Sequence, residues 1–285
     1  MAFHSLEQIC SLCREEKKSF YQVVLEDDMK EREVTKEASH RKMNQMWQAM
    51  RAAAREYDPQ LKSASGLSGG DGRLAAAYYA AGDSLCGTFM GEVVTTALQM
   101  AESNACMRRI VAAPTAGSCG VLPAVLIPCQ RRFRLSDEQI CEALYAAAGL
   151  GQVIASRAFI AGATGGCQAE IGSASAMAAG ALVYLKGGGA EAICDACAIA
   201  LKALLGLVCD PVAGLVEVPC VKRNVIGAVN AMTAADQALA GIHSFIPADQ
   251  VIDAMREVGE KMDASLRETG LGGLAATPKG REVRL

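Results

Sequence analysis

Three of the twelve cysteines stand apart because each falls where the sequence breaks. Cys167 follows Gly162-Ala163-Thr164-Gly165-Gly166, Cys209 precedes Asp210-Pro211, and Cys220 lies between Pro219 and Val221-Lys222-Arg223-Asn224. Thiolates on loops flanked by Gly and Pro can converge on one point with backbone N–H groups aimed at sulfur. Soft metals and iron–sulfur clusters favour such surroundings. The spacing C-x41-C-x10-C is not a general ferredoxin pattern. The residues alone therefore leave a three-thiolate iron–sulfur site open beside ordinary loop thiols.

Other cysteines read differently. Cys10/Cys13 and Cys194/Cys197 are C-x-x-C pairs, a spacing that can bind zinc. Both fall in helical stretches, where i, i+3 cysteines share one face, and the pairs lie far apart in sequence. They read as buried helix-face thiols, with a zinc-stabilised helical interaction subunit as the alternative. Cys106, Cys129 and Cys141 sit among apolar residues and read as core.

A second candidate is the loop Ser63-Ala64-Ser65-Gly66-Leu67-Ser68-Gly69-Gly70. Its letters contain G-x-S-x-G, but Asp58-Pro59-Gln60-Leu61-Lys62 is no strand, so the nucleophile elbow of a hydrolase is missing. The hydroxyls of Ser63, Ser65 and Ser68, the glycines and a helix beginning near Arg73 suit an anion cradle. An ordinary turn is the alternative. Nucleotide motifs are absent: no G-x-x-x-x-G-K-[ST] occurs, and Gly149-Leu150-Gly151 has Ile154 where a third glycine belongs.

The elements that must position these residues are helical. Alanine supplies 51 of 285 residues and aromatics only 13, which favours helix over strand. Lys and Arg number 28 against 31 Asp and Glu, leaving no basic surplus for nucleic acid. The uncharged run 110–130 carries Pro114, Pro123 and Pro128, which would break a membrane span. The N-terminus has no apolar targeting core. Free thiols without a secretory signal suit the cytoplasm.

Residues 1–60 read as a charged, amphipathic helical extension, and 61–285 as a catalytic domain. Stretches 137–149, 171–185, 190–207 and 225–241 have helical length and almost no polar face, as in a buried multi-helix bundle. The fold class expected is mainly α.

The segments AAPTAGSCGVLP (112–123), GATGGCQAEIGSASAMAA (162–179) and CDPVAGLVEVPCVKRN (209–224) resemble the α chain of bacterial iron–sulfur-dependent L-serine dehydratase. So do SASGLSGGDG (63–72) and GLGGLAATPKG (270–280). The resemblance implies that Cys167, Cys209 and Cys220 hold a [4Fe–4S] cluster whose fourth iron, free of protein sulfur, acts as a Lewis acid. Cys119, in a family-like motif, is expected to be structural.

The implied reaction is β-elimination of water from L-serine, giving pyruvate and ammonia, with a place in serine degradation and gluconeogenesis. The loop residues Ser63, Ser65, Gly66, Ser68, Gly69 and Gly70 would bind the substrate carboxylate, with Thr115 and Asn224 adding hydrogen bonds. A related hydro-lyase or deaminase on another small hydroxy or amino acid is the alternative within enzymes. No residue is assigned as base, since His4, His40 and His243 lie in no motif. The single-chain members carry a further N-terminal region, so a β chain is the expected partner and could supply the base. The loop reads Ser68 where the family usually has Thr, and the C-terminus Glu282-Val283-Arg284-Leu285 has no cysteine to cap the open iron.

Overall fold

The computed structural model describes residues 3–283, so Arg284 and Leu285 of that terminus lie outside the described residues. Hydroxyl residues open several helices. Ser5, Thr35 and Ser136 each accept from the backbone N–H three residues on, which satisfies donors that a first turn leaves unpaired. They precede α1 (Leu6–Glu16), α3 (Lys36–Arg55) and α7 (Asp137–Arg157), with α2 (Phe20–Glu31), α4 (Asp71–Ala80), α5 (Gly87–Ala105) and α6 (Val121–Phe133) between. The chain continues through α8 (Gly162–Gly165), a π-helical turn at Gln168–Gly172, α9 (Ser173–Leu185), α10 (Ala190–Ala203), α11 (Cys220–Leu239) and α12 (Ala248–Lys261). Among the described residues β pairing is confined to an isolated bridge between Cys209 and Arg267. The mainly α class expected from composition is what the chain adopts.

Helix α9 forms the centre. Its sequence SASAMAAGALVYL is buried on every face from Ser173 to Val183, enclosed by α6, α7, α10 and α11. A helix without a polar face is stable only when covered in this way. Its small residues let neighbours come close: a Cβ on Gly180 would stand 2.2 Å from Leu150 Cδ1 on α7.

Helices α1–α3 share this core rather than hanging off it. Phe3, Leu6, Ile9, Phe20, Val23, Trp47 and Met50 are buried in the same apolar cluster as Leu150, Ala178 and Ile252. Trp47 is fully enclosed, and its Nε1 donates to Asp137 Oδ1 at 2.9 Å. That carboxylate also takes Gln48, Arg51 and Gln130, which fixes α3 against the start of α7.

Several expected boundaries moved, α10 ending at Ala203 rather than 207 among them. Helix α7 runs through Gly149 and Gly151 to Arg157, and these glycines are packing positions, since Val24 and Met177 occupy the room that side chains there would need. Helix α11 starts at Cys220, five residues before the stretch expected from its apolar run, since its first turn is polar. The expected breaks after 110 are partial: residues 110–120 are irregular, but α6 includes Pro123 in its first turn, where no bond is lost, and Pro128 in its interior. No helix among the described residues is long and apolar enough to cross a membrane.

Candidate active site

The three loop cysteines come together, though not all as loop residues. Cys167 immediately precedes the π-helical turn, Cys220 is the first residue of α11, and Cys209 lies in the extended segment before Pro211. Two of the three sulfurs thus stand at helix starts. All three side chains are buried.

Their mutual influence shows the convergence. A hydrogen bond from Cys209 pulls Cys167 below the ordinary thiol value, against the opposing effect of burial and with help from Arg223. Cys209 correspondingly holds its proton far above the usual range, through that bond to Cys167 and through burial. Burial, then the charge of Cys167, pushes Cys220 up to about 12. Among the described residues no three His, Cys, Asp or Glu side chains are gathered closely enough to hold a single metal ion. Three thiols with no nitrogen or carboxylate ligand among them are a soft donor set of the kind an iron–sulfur cluster takes.

Arg223, on the first turn of α11, is the buried cation of the site. It donates to Val208 O and to Asp210 Oδ1, both at 2.7 Å. Burial opposes its charge, but Cys167 and Asp210 outweigh that and hold its proton more tightly than usual. The chain's tail clasps the same segment. Cys209 N–H donates to Leu266 O at 2.8 Å, Glu268 N–H to Cys209 O at 2.6 Å, and Leu274 N–H to Asp210 Oδ2 at 2.7 Å. Only glycine fits at 273: its φ is +59°, and a Cβ would meet Asp210 Oδ2.

Glu170 is the residue that sequence reasoning missed. It lies inside the π-helical turn, an element that recurs at functional sites. A Cβ on Gly117 would all but coincide with its Oε1, so the carboxyl reaches the 113–120 loop only because position 117 is glycine. Burial, then the charge of Glu268, raises its carboxyl above the ordinary range, while Thr115 and the backbone at Gly162 pull the other way. The available signal was an acid three residues after Cys167 in an otherwise uncharged stretch.

Thr115 stands at this carboxyl and also pairs with Ser118 Oγ at 3.0 Å. Asn224 does not offer free donors. Its Nδ2 gives both protons, to Gly117 O at 2.7 Å and Cys220 O at 3.0 Å, and its Oδ1 accepts from Gly120 N–H. It pins the Gly117–Gly120 loop to α11. Both amide protons that were expected to be open to substrate are thus taken up within the chain.

The 63–70 loop is also more occupied than expected. Ser63 Oγ and Ser65 Oγ donate to Glu217 at 2.5 and 2.9 Å, and Ser63 Oγ accepts from Ser68 N–H. Helix α4 begins at Asp71, and its first N–H groups, on Asp71 and Gly72, donate to Glu102. The expected cradle thus holds two carboxylates of this chain: the Ser63 and Ser65 hydroxyls and the helix start are taken. What remains are Ser68, which is buried, and the backbone at Gly66, Gly69 and Gly70, all three glycines at positive φ. Lys62 bonds Gly69 O across the loop. A Cβ on Gly69 would stand 2.2 Å from Leu61 O, so no other residue closes this turn.

The remaining cysteines divide as well. Burial pushes Cys119 and Cys129 up to about 12 and Cys141 to about 11, as for inert core thiols. Cys10 and Cys194, from the two distant C-x-x-C pairs, are in contact with their sulfurs 3.3 Å apart. Separation in sequence was no guide to separation in space.

Such a molecule is an all-helical protein whose site gathers three thiols around a guanidinium at the ends of two helices. Residues 15–275 match the family described as serine dehydratase alpha chain, and the chain belongs to that family. It is 48% identical over 281 residues to the probable L-serine dehydratase alpha chain of Bacillus subtilis, covering 99% of this chain and 94% of the relative. The L-serine dehydratase alpha chain of Peptoniphilus asaccharolyticus is 42% identical over 282 residues, covering 99% and 97%. The L-serine dehydratase TdcG of Escherichia coli is 44% identical over 181 residues, which is 63% of this chain but only 40% of that longer protein.

Proposed function

We propose that this chain is the catalytic α subunit of an L-serine dehydratase, removing water from L-serine to give pyruvate and ammonia. In this reading Cys167, Cys209 and Cys220 hold a [4Fe–4S] cluster in a cytoplasmic enzyme completed by a β chain. The observation that carries it is the meeting of three buried thiols beside the buried Arg223 guanidinium. A cluster with three protein thiolates supplies an open iron that can act as a Lewis acid toward the substrate's β-hydroxyl.

The protein's own part is charge balance, orientation and proton movement. Arg223 compensates the thiolate charge and fixes the Cys209 segment through Asp210. Glu170, a buried carboxyl poised above the ordinary range, takes or returns a proton at its Oε atoms, with Thr115 orienting it. Ser68 and the backbone of Gly66, Gly69 and Gly70 face the substrate carboxylate, while Ser63 and Ser65 hold Glu217 and through it the approach to Cys220. Asn224 keeps the Gly117–Gly120 loop, and so the room for Glu170, in register.

The test is iron, acid-labile sulfide and zinc per chain after strictly anaerobic purification, with pyruvate formation from L-serine assayed with and without the β chain. About four irons and four sulfides per chain, with pyruvate formed, is the expected result. Zinc without sulfide would overturn the reading. Cluster with pyruvate only when the β chain is added would place an essential group on that chain.

A further inference from the structure

The proposed function leaves one cysteine cluster unused. Cys10, midway along α1, and Cys194, on α10, belong to helices that pack against each other, and their sulfurs stand 3.3 Å apart. Neither is held by a metal cage, because no third ligand joins them at ion-holding distance among the described residues. Cys197 is fully enclosed in the core, and Cys13 has burial, Cys10 and Glu191 all raising it to about 11. The pair is therefore Cys10 with Cys194 alone. Cys10 is 3% exposed and Cys194 partly open to solvent, which gives a small oxidant one side of approach.

Several neighbours fix the two helices. Asp249, at the start of α12, accepts from the N–H groups of Leu6 and Glu7 at 2.8 and 3.1 Å. Arg14 Nη1 reaches across to Glu191 Oε1 on α10 at 2.9 Å. The sulfurs are thus held in register on rigid elements. A disulfide bond is about 2.05 Å long, so closing the gap moves each sulfur by only about 0.6 Å.

We propose that Cys10 and Cys194 are a reversible modification site, a dithiol that peroxide converts to an intrachain disulfide stapling α1 to α10. The stoichiometry is two thiols and one hydrogen peroxide giving one disulfide and two waters. Two S–H bonds and the O–O bond break, one S–S bond and two O–H bonds form with the thiol protons passing to the peroxide oxygens, the sulfurs are oxidised and the peroxide is reduced. Excess dithiol reverses the step by exchange. The staple spans 184 positions of sequence, a loop that encloses most of the chain. Closing so long a loop restricts the unfolded chain strongly. The oxidised protein is then the form harder to unfold, so the fold persists under conditions in which free thiols elsewhere are being attacked.

The experiment treats the purified full chain with hydrogen peroxide, then maps non-reduced peptides by mass spectrometry and follows thermal unfolding with and without dithiothreitol. A cross-linked Cys10–Cys194 peptide lighter by two hydrogens, a melting midpoint higher by several degrees, and reversal of both by dithiothreitol are expected. Cys10→Ser and Cys194→Ser should each abolish the cross-link and the rise in midpoint while unfolding cooperatively. Cys13→Ser, a neighbour on the same helix, should abolish neither. Exclusive cross-linking of Cys167 to Cys209, sulfinic acids on Cys10 and Cys194 without a cross-link, or a midpoint gain that survives in Cys10→Ser would each overturn the proposal.

Discussion

Two cysteine neighbourhoods in this protein use the same side chain to opposite ends. Around Cys167, Cys209 and Cys220 the sulfurs meet at two helix starts and an extended segment, with Arg223 buried among them. Around Cys10 and Cys194 the sulfurs meet inside two helices, past their first turns, in side-by-side packing. In the first, a thiol hydrogen bond and a cation lower one thiol despite burial. In the second, the bond to Cys10 and burial hold Cys194 well above the ordinary range. Position in the backbone and the nearest cation, not the cysteine itself, divide the two neighbourhoods.

The largest effect that could break this contrast is at Cys209. Cys209→Ser should abolish iron binding and pyruvate formation together, measured as iron per chain after anaerobic reconstitution. An iron-replete, active variant would show that the two neighbourhoods do not differ as described.

Glu170→Gln comes next. It should lower kcat by about 10²–10⁴-fold with KM little changed, while iron content stays at the parent level. Because burial raises the Glu170 carboxyl, the base form is lost on acidification at a higher pH than for an ordinary carboxylate. The acid limb of kcat/KM should accordingly lie above the ordinary carboxylate range in the parent and vanish in the variant. An unchanged limb would assign it to another group.

Arg223→Met sharpens the role of the cation. It leaves Asp210, whose side chain is 4% exposed, without its guanidinium. Removing one partner of such a pair costs about 3–5 kcal/mol, read from urea unfolding of the iron-free chain. The smallest effect lies in the other neighbourhood: Cys10→Ser should leave iron content and pyruvate formation within error of the parent. A loss of iron there would mean that the dithiol serves the site after all.

The cysteines of the candidate site were legible because they sit in segments where glycine and proline interrupt otherwise apolar helices. Cys167, Cys209 and Cys220 carry that signal, and the structure brings them together. The helical class was legible from alanine content, and α9 from its lack of a polar face. What could not be read was partnership across distance. Nothing in the local sequence says that Ser63 and Ser65 will meet Glu217, that Glu102 will fill the start of α4, or that Cys10 will touch Cys194. The Asn224 side chain looked available because two of its three hydrogen bonds depend on the 113–120 loop folding onto α11. Glu170 went unread for a related reason, since its reach rests on a missing Cβ at Gly117.

The clasp on the Cys209 segment bears on when the site comes into being. Asp210 is tied to Leu274, 64 positions later, and Cys209 to Leu266 and Glu268. During synthesis the ribosome delivers all three thiols before the strap that fixes the middle one. A nascent chain therefore presents Cys167, Cys209 and Cys220 to the cell without their final arrangement, and the site is completed only after translation has passed this strap. The site is in that sense finished late, and a ribosome stall between Cys220 and Leu266 yields a chain with all three thiols present and no finished site.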